Sequence, residues 1–175
     1  MQSENTRTGA GAGAGADTGT ALEWSLRPAR PEDVTAVAEL KAVVMRDDLT
    51  RLGRYDEVRV RQRLRDEFRP EHTWLIELAG GFAGSVAFGP HPPAAGHHLE
   101  HFYLAREAQG RGLGTAVLRG LLDRADAERV PVRLTVLRGS AARRLYERMG
   151  FTVESEDPID IRMVRAVPEV REPGR

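Results

Sequence analysis

The stretch Gln109-Gly110-Arg111-Gly112-Leu113-Gly114-Thr115-Ala116 constrains this chain more than any other. It lies between a run that reads as a strand, His98 to Leu104, and one that reads as a helix, Leu113 to Ala127. The helix shows in its apolar spacing: Leu113, Val117 and Leu121 on one line, Leu118, Leu122 and Ala125 on the next. Three glycines thus stand where a strand turns into a helix. Glycine reaches backbone conformations closed to other residues and lets a ligand approach the main chain. The first amides of a helix have no internal partner and lie at the positive end of its dipole. Together these features favour a phosphate, with Arg111 as an added cation.

The spacing narrows the ligand. A Walker loop requires Gly-x-x-x-x-Gly-Lys-Ser/Thr, and no lysine is present here. A dinucleotide fingerprint requires Gly-x-Gly-x-x-Gly after an early strand, whereas this run reads Gly-x-Gly-x-Gly past mid-chain. The order Gln-x-x-Gly-x-Gly between strand and helix resembles the acyl-CoA loop of the GNAT acetyltransferases. A second segment, Arg143-Arg144-Leu145-Tyr146-Glu147-Arg148-Met149-Gly150-Phe151, resembles the Leu-Tyr-Glu-x-x-Gly-Phe run that closes the same fold. The two segments stand in the family's order and spacing, with one strand, Val132 to Leu137, between them. The resemblance covers about residues 22 to 166. It implies an α/β (α+β) architecture, the GNAT fold. Its centre is a mixed, mostly antiparallel sheet of six to seven strands with helices on both faces.

The rest of the chain fits that plan. Residues 1 to 20 are polar and then alternate Gly and Ala from Gly9 to Ala16, with no side chains able to offset the cost of ordering them. They read as a disordered tail, or as a start-site artefact. A single domain follows over 21 to 167, and 168 to 175 reads as a frayed C-terminus. Leu22 to Arg27 forms a first strand. Pro31-Glu32-Asp33 opens a helix, since proline suits its first position and acids its first turn; Val37, Leu40 and Val44 give it an apolar stripe. Asp47 to Arg54 reads as a charged connection, and Asp56 to Phe68 as a second helix with Val60, Leu64 and Phe68 on one face. Thr73 to Leu78 and Phe82 to Phe88 read as a hairpin turned by Ala79-Gly80-Gly81. Ser140 can cap a short helix that Gly150 ends, and Phe151 to Glu154 and Asp160 to Arg165 form the last strands.

Composition bounds the partners. The 26 acidic and 26 basic residues cancel, so bulk charge argues for neither nucleic acid nor membrane. There is no cysteine, hence no disulfide, thiolate nucleophile or cysteine metal site. Lys41 is the sole lysine. No apolar run approaches a membrane span, and a cytoplasmic location is the expectation. The five histidines, at 72, 91, 97, 98 and 101, show no metal spacing, and no metal is expected.

The resemblance implies transfer of an acetyl group from acetyl-CoA to a primary amine, most simply that of a small molecule, by direct attack in a ternary complex. It assigns the CoA pyrophosphate to the loop of Gln109, Gly110, Arg111, Gly112, Leu113, Gly114 and Thr115. It assigns the pantetheine to the strand edge at Phe102 and Leu104, where the fourth and fifth strands splay. Tyr146 matches the tyrosine beside the CoA sulfur, placed to protonate the departing thiolate. Many relatives carry asparagine just before that helix; here Gly139 and Ser140 stand there, and Ser140 either replaces the contact or caps the helix. Glu100 stands where relatives often carry an acid and is the first choice as base. His101 is second, on the opposite strand face if pairing is regular. The first two helices shape the acceptor pocket, which makes Arg46, Asp47, Asp48, Arg51, Arg54 and Tyr55 candidates to touch the acceptor. Acetylation of a protein or peptide and non-catalytic acyl-CoA binding stay open as alternatives, and a homodimer is neither required nor excluded.

Overall fold

The structure, a computed structural model, describes residues 22–169. The tail read over 1 to 20 and the last residues of the C-terminal tail lie outside that range. Strand β1 (Trp24–Pro28) leads through a short 3-10 turn at Pro31–Asp33 into α1 (Val34–Val44). Then come α2 (Arg46–Arg51), α3 (Glu57–Glu67), β2 (Thr73–Leu78), β3 (Gly81–Pro90) and β4 (His97–Leu104). Helix α4 (Leu113–Glu128), β5 (Val132–Leu137), α5 (Ala142–Arg148), β6 (Thr152–Glu156) and β7 (Asp160–Arg165) complete the domain.

Most elements form where their residues favour them. The carboxylate of Asp56 accepts from the amides of Val58 at 3.0 Å and Arg59 at 2.8 Å, capping α3. Ala79 and Gly80 both carry positive φ, 50° and 78°, as a two-residue hairpin turn requires. One expectation fails: part of the charged connection is helical. Asp47 and Asp48 sit in the first turn of α2 and Arg51 in its last, each where the helix dipole stabilises it.

The seven strands form one sheet in the order β1-β2-β3-β4-β5-β7-β6. Every neighbouring pair is antiparallel except β4 and β5. The larger core, including Phe88, Leu118 and Met163, lies between the sheet and α4 with α5. A smaller one, Val37, Ala38, Leu64 and Leu75, lies under α1 and α3 on the other face.

Two irregularities at mid-sheet matter for function. First, β4 and β5 pair only where His97 to Leu99 meet Val132 to Leu134. Both strands run on, to Leu104 and Leu137, without pairing to each other. Second, β4 bulges directly after that point. Ala87 opposes Glu100 and Ser85 opposes Tyr103, so His101 and Phe102 together face Val86. His101 takes φ 47°, a left-handed conformation uncommon for a non-glycine residue. Its carbonyl accepts a hydrogen bond from the buried Ser85 hydroxyl at 3.1 Å.

The bulge inverts the alternation along the strand. Leu99 packs toward α4, but past the bulge it is Phe102 and Leu104 that do so, while Tyr103 packs toward α1 and α3. The expectation that His101 lies opposite Glu100 is therefore wrong. Regular pairing was its premise, and the bulge breaks it.

Candidate active site

Two cavities open where β4 and β5 part. The first, about 690 Å³, runs along the far half of β4 past the glycine turn to α5. The second, about 620 Å³, lies toward α1 and α3. Phe102, Tyr103, Ser140 and Tyr146 line both, so the two meet beside α5.

The glycine turn builds the first cavity. Gly110 and Gly112 have φ of 70° and 81°, and a Cβ added to either would meet nothing within 4 Å. The side of these residues that a side chain would occupy is thus open to a ligand. Gly112 is also the residue from which α4 starts, so the unpaired amides of the first helical turn lie next to it. Gln109, Gly110, Gly112, Gly114 and Thr115 line the cavity, with Phe102 and Leu104 of the β4 edge. Arg111 is exposed and lies outside its lining. The Leu113 side chain belongs to the core, which leaves only its main chain to meet a ligand. The Gln109 side-chain amide donates to the Leu104 carbonyl at 2.9 Å and ties the turn to the strand. These features fit a pyrophosphate followed by an extended chain that adds to the β4 edge.

Tyr146 stands at the meeting of the cavities, 7% exposed, with its ring edge-on to Phe151 at 5.9 Å. Burial alone raises its phenol well above tyrosine's ordinary value. It therefore stays protonated through the neutral range and can act as a donor. The Ser140 hydroxyl accepts from the Ala142 amide at 3.3 Å, but Ala141 is the residue that caps α5; Ser140 lines both cavities.

The second cavity holds the ionisable groups. The bulge brings Glu100 and His101 to the same cavity. The Glu100 carboxylate accepts from Arg69 at 3.1 Å, and the same Arg69 nitrogen donates to His91 Nδ1 at 3.0 Å. His91, His98 and Glu100 come close enough to share a cation, a grouping their sequence spacing hid; here Arg69 bonds two of them, His91 and Glu100. The rings of His91 and His98 stack at 4.8 Å. His101 sits with Nδ1 3.2 Å from the Tyr103 hydroxyl and Nε2 3.4 Å from Glu67. Burial first, and then the charge of Lys41, push His101 down to about 4, so its imidazole is neutral at physiological pH. His97 turns to the other face, where it bonds Glu128 at 2.6 Å and packs edge-on to Phe88.

The acceptor candidates divide. Asp48 and Arg54 line the second cavity. Asp47 lines only the first and is bonded by Arg106 at 3.1 Å. Arg46 stacks over Tyr55 at 5.1 Å, and neither lines a cavity. Arg51 donates to the Arg138 carbonyl at 2.7 Å and ties α2 to the turn before α5. Lys41, Glu67 and Tyr103 escaped sequence reading. The signal was present: Lys41 is four residues after Val37, and Glu67 three after Leu64, each on its helix's apolar stripe.

Comparisons with known proteins agree with this fold. A family model described as the acetyltransferase (GNAT) family matches residues 39–151. No curated protein matches the sequence. The PaiA N-acetyltransferase from Thermoplasma acidophilum, solved in complex with coenzyme A, is similar with TM-score 0.66 and 19% identity, over 82% of this chain and 99% of that one. A putative GNAT acetyltransferase from Desulfovibrio desulfuricans gives 0.60 and 22%, over 85% and 100%. N-acetylglutamate synthase from Neisseria gonorrhoeae, complexed with coenzyme A and N-acetyl-glutamate, gives 0.60 and 16%, over 84% of this chain and 36% of that one.

Proposed function

Because the chain belongs to the GNAT acetyltransferase family, whose cosubstrate is acetyl-CoA, we propose that it acetylates a primary amine of a small molecule by direct attack in a ternary complex. The observation that carries this reading is Tyr146, a buried phenol at the junction of two cavities. One cavity suits a pyrophosphate and an extended arm, and the other is lined by acids and bases.

Acetyl-CoA supplies the acetyl group as a thioester, already activated for attack by an amine. The turn from Gln109 to Thr115 holds the pyrophosphate, and the unpaired edge of β4 at Phe102 and Leu104 holds the arm. Ser140 lies beside the same path. Tyr146 keeps a proton at its hydroxyl for the leaving sulfur. Glu100, oriented by Arg69, takes the proton of the incoming ammonium. His101 is the second candidate; it is neutral but a weak base, because burial and Lys41 oppose its charged form.

The test is thiol release from acetyl-CoA across a panel of small primary amines, with mass spectrometry of the products. Turnover of small amines is the expected result. Release only with peptides would assign the protein-acetylating alternative. Binding of acetyl-CoA with no release for any amine or peptide would overturn the proposal.

A further inference from the structure

Lys41, the chain's only lysine, lies on the packed face of α1 with 7% of its surface exposed, and it lines the second cavity. A buried ammonium is costly unless a counter-charge meets it. The carboxylate whose field reaches Lys41 is Glu67. That carboxylate is already engaged, by Arg63 at 2.9 Å and near His101 at 3.4 Å. Among the described residues, no ion pair or hydrogen bond reaches the Lys41 ammonium.

The imbalance extends around the cavity. Its carboxylates are otherwise largely taken: Asp48 by Arg51, Glu100 by Arg69, Asp157 by Arg162. Arg54 and Arg59 line the same space without an ion pair among the described residues. Three unpaired cations thus face one unpaired carboxylate, Asp160. We propose that the acceptor is an amine that also carries a carboxylate, and that Lys41 receives that carboxylate at the cavity wall. Arg54 and Arg59 add to the field that draws the anion in. The amine end is left to Glu100 and Tyr146. This inference rests on reading the second cavity as the acceptor site.

The experiment uses the full chain, acetyl-CoA and three matched pairs: glycine, β-alanine and γ-aminobutyrate, each against its carboxamide. The expected result is a kcat/KM preference for the carboxylate in at least one pair. It should reach about tenfold, the worth of one charge-assisted hydrogen bond. The carboxamides have less basic amines, so more of each is neutral and the chemical bias runs the other way. Lys41→Met should erase the preference, mainly through KM, and Lys41→Arg should retain part of it. Calorimetry with acetyl-CoA checks that each variant is folded.

Turnover by the parent protein with no carboxylate preference would overturn the inference and leave acetyl transfer standing. So would an equal loss by Lys41→Met on both members of a pair. Absence of thiol release with every amine would overturn acetyl transfer itself, and this inference with it.

Discussion

At Tyr146 the proposed acid depends on one hydroxyl. Tyr146→Phe keeps the ring and its contact with Phe151, so folding and acetyl-CoA affinity should hold. A donor acting only in the transition state lowers kcat and kcat/KM together. General acids typically contribute about 10²–10⁴-fold, and a thiolate leaves fairly well unaided, so a loss near the low end is expected. It should shrink with an acyl donor whose thiol is more acidic. Steady-state kinetics decide this, and parental rates in the variant would make Tyr146 a packing residue. Glu100→Gln removes the proposed base and keeps the side chain's shape. Its loss should be greatest at low pH, where the amine is protonated in solution, and should diminish as pH rises. A pH-independent loss would move the role to His101 or to water. Both residues were named from motif and strand position. That Arg69 holds Glu100 was invisible, because the two stand 31 positions apart in sequence.

The glycine turn and the β4 bulge are the elements that shape the candidate site. Gly112 has φ 81° and open space where a side chain would go. Gly112→Val would fill that space with branched carbons and strain the backbone at the start of α4. Acetyl-CoA affinity should fall by at least about tenfold, as for the loss of one good phosphate hydrogen bond. Calorimetry on a variant shown by circular dichroism to be folded makes the test, and unchanged affinity would remove the turn from the binding site. The bulge works differently. It places Glu100 and His101 in one cavity, while the parting of β4 from β5 leaves the far edge of β4 unpaired. The turn was legible because glycines punctuate it. The bulge was not, because no residue in His98-Leu99-Glu100-His101-Phe102-Tyr103-Leu104 favours positive φ as glycine does.

On the scale of the whole molecule, His101 links the bulge to α1 and α3, the helices beside the second cavity. Lys41 faces it from α1, Glu67 and Arg63 from α3, and Glu100 and Tyr103 from its own strand. Its folded value, about 4, is below its ordinary 6.5. Below pH 6.5 the unfolded chain binds a proton that the folded protein refuses. Stability therefore falls as pH drops from about 6.5 toward 4, with a slope of up to about 1.4 kcal/mol per pH unit. Below the folded value this contribution changes no further. His101→Asn tolerates the left-handed backbone and removes the titration. Thermal melts at pH 7 and pH 5 should show a smaller drop for the variant than for the parent. Equal drops would place the acid sensitivity elsewhere.

The chain by itself determined what depends on neighbours in sequence. The glycine turn, the α4 stripe and the Leu-Tyr-Glu run are local patterns, and the turn and the run were enough to name the family and its cosubstrate. Only the tertiary structure decided which side chains share a space. Lys41 and Glu67 sit on the apolar stripes of separate helices and become cavity residues when α1 and α3 pack on the sheet beside the bulge. Long-range packing sets that juxtaposition: the pairing of β4 with β3 creates the bulge, and the parting of β4 from β5 opens the cavity.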